Sequence, residues 1–353
     1  MFGERVPRGG SWPRRALVVF MLLVLFVGAA CTNGVRHTAS PSRAGASVAL
    51  TATATPLPPT VTPTPTRTVT LAAVGDIMLA RSIGERVLTD GPSVVFAGVA
   101  QQLSSADVTV GNLETSISNK GTPAAKGYIF RAPPGTAAAL SAAGFDVVSQ
   151  ANNHALDYGP AALADTRQLV EAQGIEVVGA GADIASATRP DVIERNGLRI
   201  AFLGFVDTAP DGTYSQSSWS ATATSPGVAW ATPDAIRTAV QAAKAEDDIV
   251  VVMLHAGVEY GTTPTPEQEM LAETAIDAGA SLVLGAHPHV LQPVVAYHGG
   301  VIAYSLGNFV FDGFDPPANT TAIFDTTLTP AGVQSWKLVP VSVVDGLPVL
   351  DGG

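Results

Sequence analysis

Six short apolar runs restrict the folds open to this chain more than any other feature in it. Val69 to Val74, Val108 to Val110, Val147 to Ser149, Leu198 to Phe205, Ile249 to Leu254 and Leu282 to Leu284 have the length and the Val, Ile and Leu content of buried strands. Between them, Pro160 to Ala172, Pro233 to Ala243 and Pro266 to Ala278 read as helices, each opening with Pro near its first turn and the last closed by Gly279. After Val301 the chain is strand-like with few helical signals. Alternating strands and helices predict a layered α/β domain. No internal repeat at a fixed period is evident.

The N-terminal region reads as an address and a stalk. Arg5, Arg8, Arg14 and Arg15 form a basic segment ahead of the apolar stretch Ala16 to Ala30. That stretch is shorter than the ~20 residues a spanning helix needs and fits the apolar region of a signal peptide. It ends in Val27-Gly28-Ala29-Ala30-Cys31, which resembles a bacterial lipobox with Gly28 where Leu is more usual. Residues 1–31 are therefore expected to be a signal peptide whose Cys31 is acylated, with plain secretion as the alternative. Cys31 is the sole cysteine, so no intrachain disulfide can form. Residues 32–68 hold Pro56-Leu57-Pro58-Pro59 and Thr62-Pro63-Thr64-Pro65, a disordered, semi-rigid Thr/Pro/Ala-rich linker that cannot build a core. The folded domain is expected over 69–353. The exported protein would sit on the outer face of the cell membrane, held there by its lipid.

With 30 acidic and 19 basic side chains the net charge is -11, which argues against nucleic acid as a partner. No Gly-x-x-x-x-Gly-Lys-Ser/Thr run is present to hold ATP phosphates.

Polar clusters recur where the strands end. They are Gly75-Asp76-Ile77-Met78, Gly111-Asn112-Leu113-Glu114-Thr115, Gln150 to Asp157 around Asn153-His154, His255 to Tyr260, and Gly285-Ala286-His287-Pro288-His289. Open α/β sheets bind ligands at strand carboxyl ends. The clusters offer carboxylates, amide oxygens and imidazoles without a thiolate, the ligand set of hard and borderline divalent metals. Four of the six histidines fall in them. His37 lies in the linker and His298 beside Gly299-Gly300 in an expected hairpin turn, and both read as bystanders.

The order of these clusters, together with Ser305-Leu306-Gly307-Asn308-Phe309, resembles the CapA-type poly-γ-glutamate capsule-synthesis family, a branch of the calcineurin-like metallophosphoesterases. The resemblance covers roughly Thr70 to the C-terminus. It implies an α/β fold of four layers, α-β-β-α, in which two mixed sheets pack together and helices lie outside. It also implies one or two divalent metals, Mn, Fe or Zn. Carried over by position, Asp76, Glu114, Asn153, His255, His287 and His289 would be metal ligands, and His154 the catalytic acid. Met78 stands where an imidazole ligand is usual, and Glu114 replaces Asp. Arg81 and Arg131 are candidates for binding an anionic substrate, Asp157 and Glu259 for orienting imidazoles, and Asn308 for a hydrogen bond beside the site.

The implied function is a cell-surface, metal-dependent, phosphoesterase-like hydrolase linked to the synthesis or export of poly-γ-glutamate or another capsule polymer. Its partners would be an anionic substrate or the polymer, membrane-bound synthase components, and the membrane. The alternative is a metal-binding accessory lipoprotein without catalysis.

Overall fold

Strand Ile249–Gly257 shows why the apolar runs lack alternation. Its Val250, Val252 and Leu254 pack with the helix residues Ile236, Val240, Leu271 and Ala275. Its Ile249, Val251 and Met253 pack instead with Leu71, Ala73, Val108 and Val110 of other strands. Both faces of the strand are dry, so both parities of its sequence must be apolar. The computed structural model describes residues 67–352. The expected signal peptide, Cys31, His37 and nearly all of the expected linker lie outside the described residues.

Two mixed sheets form the centre. One has eight strands in the order Leu347–Leu350, Gly332–Val344, Thr320–Thr329, Val69–Ile77, Val108–Leu113, Val147–Ser149 and Glu176–Val178, with Asn308–Val310 also paired to Val69–Ile77. The other has six, in the order Val294–Tyr297, Gly300–Ala303, Leu282–Ala286, Ile249–Gly257, Leu198–Thr208 and Asp191–Arg195. Ile83 and Val87 of helix Arg81–Asp90, Leu140 of Ala137–Ala142 and Val170 of Gly159–Glu171 cover the outside of the first sheet. Helices Pro233–Lys244 and Pro266–Ala278 cover the outside of the second. This is the expected four-layer α-β-β-α arrangement.

Local chemistry sets the helix ends. Thr232 accepts the Ala235 N–H ahead of Pro233. Thr265 and Gln268 form a reciprocal capping box, and Gly279 closes that helix in the left-handed region. The sequence reading missed helices Arg81–Asp90 and Ala137–Ala142, which have no capping side chain to announce them.

Among the described residues, seven other than glycine have positive φ. Asn196, His298 and Asp345 each precede a Gly of positive φ in a two-residue hairpin turn, as the strand twist requires. The other four, Arg81, Tyr260, His287 and His289, lie around the strand ends described next.

Candidate metal centre

A bulge places the first candidate ligand. Along Val69–Ile77, Ala73 pairs with Val110 but Asp76 pairs with Asn112, so one extra residue is inserted. The insertion puts Ile77 into the helix-side core, on the opposite face from Asp76. Gly75 is required there: a Cβ on it would lie 1.9 Å from the Gly307 carbonyl oxygen. That carbonyl accepts the Asp76 N–H at 2.9 Å.

Around Asp76 the chain brings together residues from five strand ends. The ligand-capable atoms of Asp76, Glu114 and His255 lie within 4.8 Å of one another, and all three residues are buried. Glu114 Oε1 is 3.9 Å from His289 Nε2 and 3.8 Å from His154 Nε2. The His287 N–H donates to Asp76 Oδ2 at 3.3 Å. Asn153 Oδ1 is 2.9 Å from His255 Nε2. In this arrangement Asn153 and His255 satisfy each other, and a cation held by both would replace that bond.

An amide chain fixes the donors. Asn152 accepts the His154 N–H and donates to the Leu113 carbonyl and to Asn112 Oδ1. Asn112 Nδ2 must then face the site, 2.8 Å from Asp76 Oδ1 and 3.1 Å from His255 Nδ1. Asn308 works in the same way. Its Nδ2 donates to the Ala318 carbonyl, so its Oδ1 faces His289 Nδ1 at 2.8 Å. His289 therefore carries its hydrogen on Nδ1 and keeps the Nε2 lone pair toward Glu114.

Burial and charge divide the titrations. Burial alone would raise the Asp76 carboxyl, but the His289 and His255 imidazoles outweigh it and hold Asp76 well below the usual range. Glu114 is pushed well above its ordinary value by burial and then by the Asp76 charge. Burial depresses His255 to about 3 and His287 well below its ordinary value. His289 is raised: burial opposes this, but the bond to Asp76 prevails.

Two atoms identify what the set can hold. Glu114 Oε1 and His287 Nδ1 are buried without a hydrogen-bond partner among the described residues. An unpaired buried acceptor costs about 1–3 kcal/mol. A divalent cation would satisfy both atoms and neutralise the adjacent carboxylates, and the O/N donor set suits one.

His154 sits beside these donors. Its Nδ1 is 2.7 Å from Asp157 Oδ2, and its ring stacks on Phe130 at 4.1 Å between centroids. Burial lowers its pKa to about 4, although Asp157 opposes the shift. Asp157 also accepts from the Phe130 N–H at 2.6 Å and from Lys126 Nζ at 3.0 Å. The Lys126 side chain is 1% exposed, donates as well to the Asn153 carbonyl, and lies 5.2 Å from the centroid of the Trp219 ring.

Other expected residues fall differently. Arg81 lines the cavity over the site, 4.7 Å above the Phe130 ring and 3.2 Å from Asp312. Glu259 lies exposed at the same rim and has no hydrogen bond to an imidazole among the described residues. Arg131 is not brought to the cavity. Its guanidinium donates to the Lys120 and Gly121 carbonyls and lies 3.5 Å from the Tyr158 ring centroid, spent on its own loop. Met78 is in the helix-side core, where its sulfur accepts the Ala80 N–H. His298 pairs with Asp277 on the surface. Reading the sequence missed Asn112 and Asn152, although both stand inside the quoted clusters. It also missed Lys126, a lone cation in a loop without any pattern to single it out.

A family model described as bacterial capsule synthesis protein PGA_cap matches residues 70–313. The capsule biosynthesis protein CapA of Bacillus anthracis is 35% identical over 288 residues, 79% of this chain and 69% of that protein. The PGA biosynthesis protein CapA of Bacillus subtilis (strain 168) is 34% identical over 278 residues, 78% of this chain and 72% of that one. Among solved structures, a hypothetical protein from Thermus thermophilus shares the fold with a TM-score of 0.50 at 17% identity, over 77% of this chain and 98% of that one. The matched segment runs from the strand that carries Asp76 past the Asn308 strand, and with that coverage the chain belongs to the bacterial capsule synthesis protein family PGA_cap.

Proposed function

We propose that this chain is a metal-dependent hydrolase of a phosphoester, acting in capsule-polymer assembly at the outer face of the cell membrane. The observation that supports the chemistry is the pair of partnerless buried atoms, Glu114 Oε1 and His287 Nδ1, in a donor set next to His154. Asp76, Glu114, Asn153, His255, His287 and His289 would hold the metal. When bound, a divalent ion supplies Lewis acidity and lowers the pKa of water.

The remaining work falls to the chain. His154 is neutral at rest. An anionic phosphoryl group arriving beside it favours its charged form, so Nε2 takes up a proton from solvent as substrate binds. Asp157 then stabilises the imidazolium, and Nε2, on the side of Glu114, donates the proton to the leaving oxygen. Phe130 and Lys126 fix the geometry: one stacks on the imidazole, the other pins the carboxylate that orients it.

The test is turnover of p-nitrophenyl phosphate by the metal-loaded protein alongside His154→Asn. The variant should keep its metal and lose about 10²–10⁴-fold in rate. Unchanged turnover removes His154 from the chemistry.

The capsule role rests on the names of the Bacillus relatives and on the family. Lipid attachment at Cys31 is part of the same proposal. Cys31→Ser should move the protein from the membrane fraction to the soluble one, and an unchanged distribution defeats it. A second reading, a metal-binding accessory protein without turnover, draws support from Met78, whose burial in the core leaves one position without an imidazole. Metal bound with no turnover on any phosphoester would favour it.

A further inference from the structure

The mouth of the site carries a feature that metal binding does not require. A cavity of about 180 Å³ opens over His154 and His289. Phe130, Phe311 and Phe314 line it, and Tyr128 and Tyr260 stand at its rim, 70% and 56% exposed. The inner rings have structural work. Phe130 stacks on His154, while Phe311 and Phe314 each lie 5.3 Å from His289 and 5.0 Å from each other. The two tyrosines bury little of their own surface. Tyr260 also sits at φ 63°, a conformation that costs a bulky residue about 1–3 kcal/mol and that clusters at ligand sites. Its N–H donates to the Pro288 carbonyl at 2.8 Å, which holds the strained residue beside the His287–His289 turn.

The charges at this rim do not form a funnel for a polyanion. Arg81 is already paired with Asp312 at 3.2 Å, and Glu259 adds a further carboxylate. The cavity is also smaller than the ~300 Å³ at which pockets for drug-sized ligands begin. Small volume, exposed aromatic faces and a rim without net positive charge fit a compact ligand with one flat face.

We propose that Tyr128 and Tyr260 set specificity by stacking on the leaving group, and that the substrate is a small phosphoester bearing a ring rather than a segment of polyanionic chain. This rests on the reading of the site as a phosphoester hydrolase.

The experiment is calorimetric titration of the full chain, loaded with Mn²⁺, with phenylphosphonate, methylphosphonate and a γ-linked glutamate hexamer. Phenylphosphonate should bind about tenfold more tightly than methylphosphonate, the increment expected of aromatic stacking. Tyr260→Ala and Tyr128→Ala should each shrink that ratio while leaving the methylphosphonate affinity in place, and Tyr260→Phe should restore it. Equal binding of the two phosphonates overturns the stacking role and leaves the hydrolase reading standing. Tighter binding of the hexamer than of phenylphosphonate overturns the substrate class. Binding of neither phosphonate to metal-loaded protein overturns the hydrolase reading itself, and this inference with it.

Discussion

Lys126 and Asp157 form an ion pair 3.0 Å long with both side chains sealed from solvent. Asp157→Ala would strand the ammonium in the interior, and breaking such a pair costs about 3–5 kcal/mol. Asp157→Ala combined with Lys126→Met should recover part of that loss. Denaturant unfolding of both variants and the unaltered chain measures it, and a double variant no more stable than Asp157→Ala would show that the pair is not the cause.

Metal binding should release protons, and more of them as pH falls. Burial and the neighbouring Asp76 charge raise the Glu114 carboxyl, and a cation takes it as the carboxylate, so the proton this favours must leave on binding. Affinity then falls as pH falls. Calorimetry in buffers of different ionisation enthalpy counts the protons, and a count of zero contradicts the assignment of Glu114. Glu114→Gln should weaken binding by about tenfold or more.

His154 makes the metal-free protein sensitive to acid. Its folded pKa is about 4 against an ordinary value of 6.5, so between these values the unfolded chain binds the extra proton. Stability must therefore drop as pH falls from about 6.5 to about 4, by roughly 3 kcal/mol from this group. Glu114, raised in the fold, acts with the opposite sign above its ordinary value of 4.5. Unfolding free energy measured in chelator from pH 4.5 to 6.5 should rise less steeply in His154→Gln than in the unaltered chain. Identical slopes would mean that His154 is not buried as a neutral ring.

Gly75→Ala should damage both the fold and the metal affinity. The added methyl would lie 1.9 Å from the Gly307 oxygen, so the bulge or the Asn308 strand must shift. Such overpacking costs about 1–3 kcal/mol. Unfolding midpoint and metal titration test this together, and a variant that binds metal normally would show that Asp76 does not depend on the bulge.

The layering could be read from the apolar runs because a strand covered on both faces cannot hide its composition. Ile249 to Leu254 has one parity facing helices and the other facing strands, and the sequence carries both. The donors Asp76, Glu114, His255 and His287 were legible for a related reason: each lies at or just past the carboxyl end of an apolar strand. Asn196-Gly197 and Asp345-Gly346 were readable hairpin signals that went unread. Lys126 and Arg131 mark where sequence reasoning stops. They are lone cations five residues apart, yet the first is drawn under Trp219 to Asp157 and the second is spent on backbone carbonyls. Local pattern does not separate them, because the contacts that single out Lys126 come from Asp157 and Trp219, distant in the chain.

The contact between Gly75 and Gly307 also governs timing. Asp76 emerges early from the ribosome, but the His287 amide that braces it comes 211 residues later and the Asn308 strand that pairs with it later still. Contacts this distant form late, because the intervening loop must be closed first. A nascent chain that stops short of Gly307 carries all six donor residues but lacks the carbonyl and the strand that fix the Asp76 bulge.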